Sequence, residues 1–227
     1  MASRAARLIG IAGAHLHLRS LLNELRRSPE VRDVVRASTR WRGGFIASMQ
    51  IEDEIVALVS DVRELAPKTV IEIGTAQGGT LLLWSLFSAP DATLVSIDLP
   101  HGAFGGGYPR THASLFRRFA ARGQHLHLLR ADSHEPETVE KVRALLKGRS
   151  VDFLFIDGDH SYAGVQRDFG LYAPLVRRGG LIAFHDIASD YEDTQVHRFW
   201  TEVRSTAPHA EFINDPGGQF GIGVLRM

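Results

Sequence analysis

The stretch Thr69 to Thr80, Thr-Val-Ile-Glu-Ile-Gly-Thr-Ala-Gln-Gly-Gly-Thr, most constrains what this chain can fold into. Val70, Ile71 and Ile73 form a short β-rich apolar run, the pattern of a parallel strand buried on both faces. Gly74 ends it. Gly78-Gly79 then open an apolar run through Leu81, Leu82, Leu83, Trp84 and Leu86 that reads as a helix. Strand, glycine turn and helix make the first half of a βαβ nucleotide-binding unit. Glycines belong where backbone must approach a ligand without a Cβ in the way. The spacing then narrows the ligand. A dinucleotide fingerprint, G-x-G-x-x-G, sets bare amides against a pyrophosphate. Here Ala76 stands at the second glycine position, and the pattern is Glu72-x-Gly74-x-x-x-Gly78. An acid at the strand end suits a ligand with a cationic group and no phosphate.

The rest of the chain alternates in the same way. Helices are expected over 52–65, 111–122, 136–146, 162–176 and 195–206, and further strands over 94–97, 126–129, 151–156 and 181–184. Arg178-Gly179-Gly180 reads as a turn before the fifth strand. Phe212-Ile213 and Phe220 to Leu225, with a turn at Pro216-Gly217-Gly218, read as a terminal β-hairpin. Such alternation predicts an α/β, doubly wound sheet. Residues 1–45 lie outside it. Helices over 5–28 and 30–38, separated by Ser28-Pro29, form an N-terminal helical extension, with Gly43-Gly44 as its boundary. The extension could cap the site, join copies into a homo-oligomer, or simply pack on the domain. The glycine-rich stretch Gly102 to Pro109 reads either as a surface turn or as a lid carrying Phe104 and Tyr108.

Composition removes several functions. The net charge of +0 over 227 residues gives no basic field for nucleic acid. Cys is absent, which excludes disulfides, thiolate metal sites and a Cys nucleophile; it fits a reducing compartment, and a cytoplasmic location is the expectation. No apolar run approaches the ~20 residues of a membrane span. Leu8 to Ala14 is interrupted by His15 and His17, which favours an amphipathic helix over a signal peptide.

Ligands of an open α/β sheet bind at the carboxyl ends of its strands. Here those ends carry Glu72/Gly74, Asp98, Asp132-Ser133, Asp157-Gly-Asp159-His160 and His185-Asp186. Each ends at or beside a carboxylate, which points to one site rather than to scattered surface acids. Asp98 follows Gly74 by twenty-four residues, the place where an acid accepts hydrogen bonds from ribose hydroxyls. His125 and His127 alternate with Leu126 and Leu128 and belong on one partly exposed strand face. Tyr162 is open between a core aromatic and a pocket wall.

E-x-G-x-x-x-G resembles motif I of the class I S-adenosylmethionine (SAM) dependent methyltransferases. I-D-G-x-H-x-Y at 156–162 and G-G-x-I-x-x-H-D at 179–186 resemble the metal-assisted small-molecule O-methyltransferases of the catechol, cephalosporin-hydroxylase-like and macrolide-sugar types. The resemblance covers roughly residues 50–227 and makes 46–227 the methyltransferase domain. It implies a Rossmann-like seven-stranded sheet of order 3-2-1-4-5-7-6 with an antiparallel C-terminal hairpin. It implies SAM bound by Glu72, Gly74, Thr75, Gly78, Thr80, Asp98, Asp132, Ser133 and Asp157, with Glu72 acting on the methionine ammonium directly or through water. It implies a divalent cation, Mg²⁺ or another, on Asp157, His185 and Asp186, and His160 as catalytic base. An unperturbed imidazole, pKa near ~6.5, is largely able to accept a proton at neutral pH. The chain departs from the catechol pattern in having His rather than Lys at 160 and a His-Asp pair at 185–186. Imidazole is an unusual partner for Mg²⁺, so the alternatives are Mn²⁺ or Fe²⁺, a non-ligating His185, or no metal at all, with His185 only orienting Asp186 or the substrate. The expected partner is a small-molecule hydroxyl acceptor: a sugar, phenol or polyketide. Two other readings stay open, a non-haem iron oxygenase and a SAM-binding module without catalysis.

Overall fold

The computed structural model describes residues 17–28, 30–102, 106–189, 191–214 and 218–227. Helix α1 covers residues 17–25, the described part of the first expected helix. The helices that follow are α2 (Val31–Arg40), α3 (Glu52–Leu65), α4 (Gly79–Phe87), α5 (Arg110–Phe116), α6 (Pro136–Leu146), α7 (Tyr162–Tyr172) and α8 (Val196–Val203). The strands are β1 (Thr69–Ile73), β2 (Thr93–Ile97), β3 (His125–Leu129), β4 (Val151–Ile156), β5 (Val176–His185), β6 (His209–Phe212) and β7 (Ile222–Arg226). They form one seven-stranded sheet of order β3-β2-β1-β4-β5-β7-β6. Strands β1 to β5 are parallel, and β7 runs antiparallel between β5 and β6. This is the doubly wound sheet that the resemblance implies.

Alternation along β1 explains the two layers of core. Val70 faces a cluster built with α1 to α4, including Leu22, Val34, Leu58 and Trp84, while Ile71 and Ile73 face a second cluster with Val139, Val165 and Trp200. The described part of the N-terminal extension is therefore packed into the first core. No helix of the described residues is long and apolar enough to cross a membrane.

Four elements differ from expectation, the first being β6, which runs over His209–Phe212 where the expected strand is Phe212-Ile213. Helix α7 ends at Tyr172 and continues as a single 3₁₀ turn, because Pro174 cannot supply the next amide hydrogen bond. The fifth strand starts at Val176 rather than Leu181. Val151 pairs with Val176 but Phe153 pairs with Leu181, so residues 177–180 bulge opposite Asp152, with Gly179 at φ 75°. The expected turn is thus folded into the strand. Helix α5 stops at Phe116, short of the expected Arg122.

Candidate active site

The turn after β1 is shaped by what lies beside it. Gly74 has φ 95°, and a Cβ there would fall on the carbonyl oxygen of Asp157 at the end of β4. Gly78, at φ 80°, precedes α4, where a Cβ would press on the Phe116 ring. Thr75 is buried and its hydroxyl pairs with that of Ser96.

Glu72 corrects the sequence reading. It shares its face of β1 with Val70, so it points toward α4 and away from the cavity. It is 1% exposed, and its carboxylate accepts hydrogen bonds from Thr80 Oγ1 at 2.7 Å and Ser96 Oγ at 2.6 Å. Burial pushes its pKa up to about 8. A neutral, enclosed acid does not supply the attraction for a cation that its position in the motif suggested. Glu72 organises the turn from behind.

One cavity of about 760 Å³ lies over the carboxyl ends of the strands, and Gly74, Thr75, Thr80, Asp98, Asp132, Ser133, Asp157, His160, His185 and Asp186 all line it. Gly78 lies just behind the lining, in the turn itself. Asp98 is 4% exposed and accepts from the amides of Ala76 at 2.8 Å and Gly107 at 2.7 Å. Burial raises its pKa, against those hydrogen bonds. Gly107 and Tyr108 of the glycine-rich stretch therefore stand at the cavity wall; Phe104 lies outside the described residues. Asp132 accepts from the His134 amide at 2.8 Å, and the Ser133 carbonyl accepts from the Tyr172 hydroxyl at 2.8 Å. Tyr162 does not line the cavity: its hydroxyl donates to Glu202 and its ring packs edge-on to Phe199.

Four groups converge at the ends of β4 and β5. His160 Nδ1 is 3.1 Å from Asp186 Oδ2, and its Nε2 is 3.5 Å from Asp157 Oδ1. His185 Nδ1 is 3.3 Å from Asp157 Oδ1 and 3.1 Å from Asp186 Oδ1. Asp186 has φ 64°, a left-handed conformation that Asp tolerates better than most residues and that places its carboxylate between the imidazoles. Burial pushes the Asp157 carboxyl upward, but the two imidazoles outweigh it and hold the group well below the ordinary carboxylate range. Burial likewise opposes charge on His160 and His185, and their carboxylate partners outweigh it and raise both. His160 is thus not the unperturbed imidazole of the sequence reading.

Residues 71–187 match the family described as Methyltransferase domain. The chain belongs to that family. Uncharacterized protein R132 of Acanthamoeba polyphaga mimivirus is 33% identical over 149 residues, covering 66% of this chain and 63% of that protein. Uncharacterized protein y4gI of Sinorhizobium fredii is 25% identical over 167 residues, 72% of this chain and 18% of that protein. The chain thus spans less than two thirds of the length of either of these curated relatives. Among solved structures, the O-methyltransferase from Bacillus cereus in complex with SAH shares the fold at TM-score 0.55 and 16% identity, covering 92% of this chain and 91% of that one. TomG from Streptomyces achromogenes, an O-methyltransferase solved with SAM, does so at 0.56 and 17%, covering 88% and 91%. MycE, solved with Mg, SAH and Mycinamycin VI, does so at 0.57 and 15%, covering 88% of this chain and 55% of that one. The fold is that of the class I SAM-dependent methyltransferases.

In this methyltransferase domain, Asp157, His160 and Asp186 each offer a ligand atom within 4.8 Å of the others. Two carboxylate oxygens and one imidazole nitrogen form a donor set that suits Mn²⁺ or Fe²⁺ better than Mg²⁺. His185, expected as a ligand, is outside this group. Its Nδ1 side is turned to both carboxylates, and its Nε2 is buried with no partner among the described residues. Its polar contacts in the structure are to the two carboxylates. The sequence reading also missed residues 44–50, which run along the cavity wall ahead of α3: Phe45, stacked on His112 at 5.1 Å, Ser48, Met49 and Gln50 line it.

Proposed function

We propose that this chain is a SAM-dependent O-methyltransferase that moves a methyl group onto a hydroxyl of a small molecule, with a divalent cation assisting. The observation that carries this reading is the meeting, on one cavity, of the 74–78 turn, Asp98 and the Asp157–His160–Asp186 cluster. In the neighbouring fold, MycE holds Mg, SAH and Mycinamycin VI together, which supports the same division of the cavity here.

SAM supplies the methyl group and its own leaving group. Asp98 accepts hydrogen bonds from the ribose hydroxyls, Asp132 and Ser133 flank the adenine, and Gly74, Thr75, Gly78 and Thr80 shape the methionine end. Asp157 and Asp186 would hold a divalent ion, which would supply Lewis-acid polarisation of the acceptor oxygen. His160 takes the proton of the acceptor hydroxyl, and Asp186 at 3.1 Å stabilises the imidazolium that results. The same carboxylates favour the protonated ring while their charges are uncompensated, so compensating them restores the acceptor form. His185 fixes the spacing of Asp157 and Asp186 from the buried side. A second reading has its own observation: both ring nitrogens of His160 face carboxylates, which makes it a third ligand instead of the base.

The test is incubation with methyl-labelled SAM and a panel of sugar, phenol and polyketide alcohols, read by mass spectrometry. Labelled ether product supports the reading. SAM binding without transfer to any hydroxyl points to a binding module, and absence of SAM binding removes the reading altogether.

A further inference from the structure

The strap formed by residues 44–50 reaches the site by a defined route. It leaves α2 through Arg42, Gly43 and Gly44, all at positive φ. Its middle lies on the start of α4, where a Cβ on Gly79 would collide with the Ala47–Ser48 backbone. Its far end is fixed because α3 begins at once. There, Glu52 is held by Arg32 at 2.9 Å and Arg36 at 2.7 Å, and Glu54 accepts from the amides of Asn214 and Gly221, each at 3.0 Å.

Gln50 sits between these anchors. Its Nε2 donates to Asp157 Oδ2 at 2.8 Å, a contact between residues 107 positions apart. The other oxygen, Oδ1, is the one that faces His160 and His185. The two oxygens of Asp157 are thus divided: one is turned to the strap, and one to the imidazole side. The Gln50 Oε1 is buried and has no partner among the described residues. An apolar side chain of the same length would carry no such unpartnered acceptor. Packing therefore does not account for an amide at position 50, whereas the bond to Asp157 does.

We propose that Gln50 is a positioning residue for Asp157: by occupying Oδ2 it leaves Oδ1 as the oxygen presented to a divalent cation, and it makes the strap part of the cation site. The inference rests on the metal-assisted reading above. Gln50 lies outside the part of the chain that matches the family, residues 71–187. Groups that hydrogen-bond to metal ligands typically change cation affinity by roughly 10–100-fold when removed.

The test is Mn²⁺ titration of the whole chain without SAM, followed by electron paramagnetic resonance, on the wild type, Gln50→Met and Gln50→Asn. Met keeps the length and loses the donor; Asn keeps the amide and loses the reach. Melting temperature is read alongside. The expected result is Mn²⁺ binding weakened at least ~10-fold in both variants, with melting temperatures close to wild type. Unchanged Mn²⁺ affinity in either folded variant overturns the positioning role and leaves the proposed function standing; a lower melting temperature with that unchanged affinity assigns Gln50 to strap anchoring alone. A wild type that binds no Mn²⁺ removes the metal-assisted reading, and the role of Gln50 with it.

Discussion

Glu72 on β1 accepts a hydrogen bond from Ser96 on β2 at 2.6 Å, and this buried pair lies directly behind the glycine turn. The acid has a pKa of about 8 in the fold against an ordinary 4.5, with burial as the main cause. Between those values the folded chain binds more protons than the unfolded chain, so stability falls as pH rises. Its contribution is fully present below the unfolded value and is lost as pH rises through about 8. Glu72→Gln carries no such charge. We expect the wild-type melting temperature to drop between pH 5 and pH 9 by at least ~4 °C more than that of Glu72→Gln, measured by calorimetry. Parallel pH profiles would show that Glu72 is ionised in the fold.

Asp98 already carries two backbone amides, from Ala76 and Gly107. If it also receives the ribose hydroxyls, Asp98→Ala weakens SAM binding by about 1–3 kcal/mol, as for other hydrogen bonds to a charged group. Titration calorimetry on both proteins measures this, and equal affinities would take Asp98 out of the cofactor site.

Chelation separates the two halves of the cavity. With a cation serving the acceptor, excess chelator abolishes methyl transfer, and added Mn²⁺ restores it. SAM affinity survives the same treatment because Asp98 and the 74–78 turn need no metal. Full turnover in chelator would remove an essential cation.

His160→Ala is expected to lower kcat by at least ~10²-fold while SAM affinity stays near wild type. Mn²⁺ affinity of the same variant separates base from ligand: it is retained if His160 moves the proton and lost if His160 is coordinated. Near-normal kcat on a genuine acceptor would place the base elsewhere.

Much of this fold is legible in sequence because its central strands are buried on both faces. Val70 to Ile73 and Val151 to Ile156 stand out as apolar runs closed by Gly74 and Asp157. The cluster at the strand ends follows from the same rule, since parallel strands bring their carboxyl ends together. The direction of Glu72 was available too: alternation puts it on the face of Val70, toward α4. The spacing of the motif points to the ligand instead. Three features were out of reach. The bulge at 177–180 depends on where Val176 finds Val151, a pairing that no local pattern encodes. Gln50 belongs to no motif, and its partner is settled only when the strap crosses α4 and arrives at β4. The near-symmetric exchange between His185 and both carboxylates also depends on the left-handed turn at Asp186, which Asp permits but does not announce.

The position of β7 between β5 and β6 has a consequence for how the site comes into being. Strand β6 leaves the ribosome first, yet the ladder it joins does not exist until β7 has been made and inserted. Phe220, which packs against His185 at 5.6 Å, and Gly221, whose amide meets Glu54 at the start of α3, arrive with that last strand. A nascent chain can therefore order the 74–78 turn and Asp98 while the wall behind His185 and the anchor of the strap are still missing. The glycine-turn side of the cavity should become ordered with the parallel core, and the wall behind His185 only once β7 has joined the sheet.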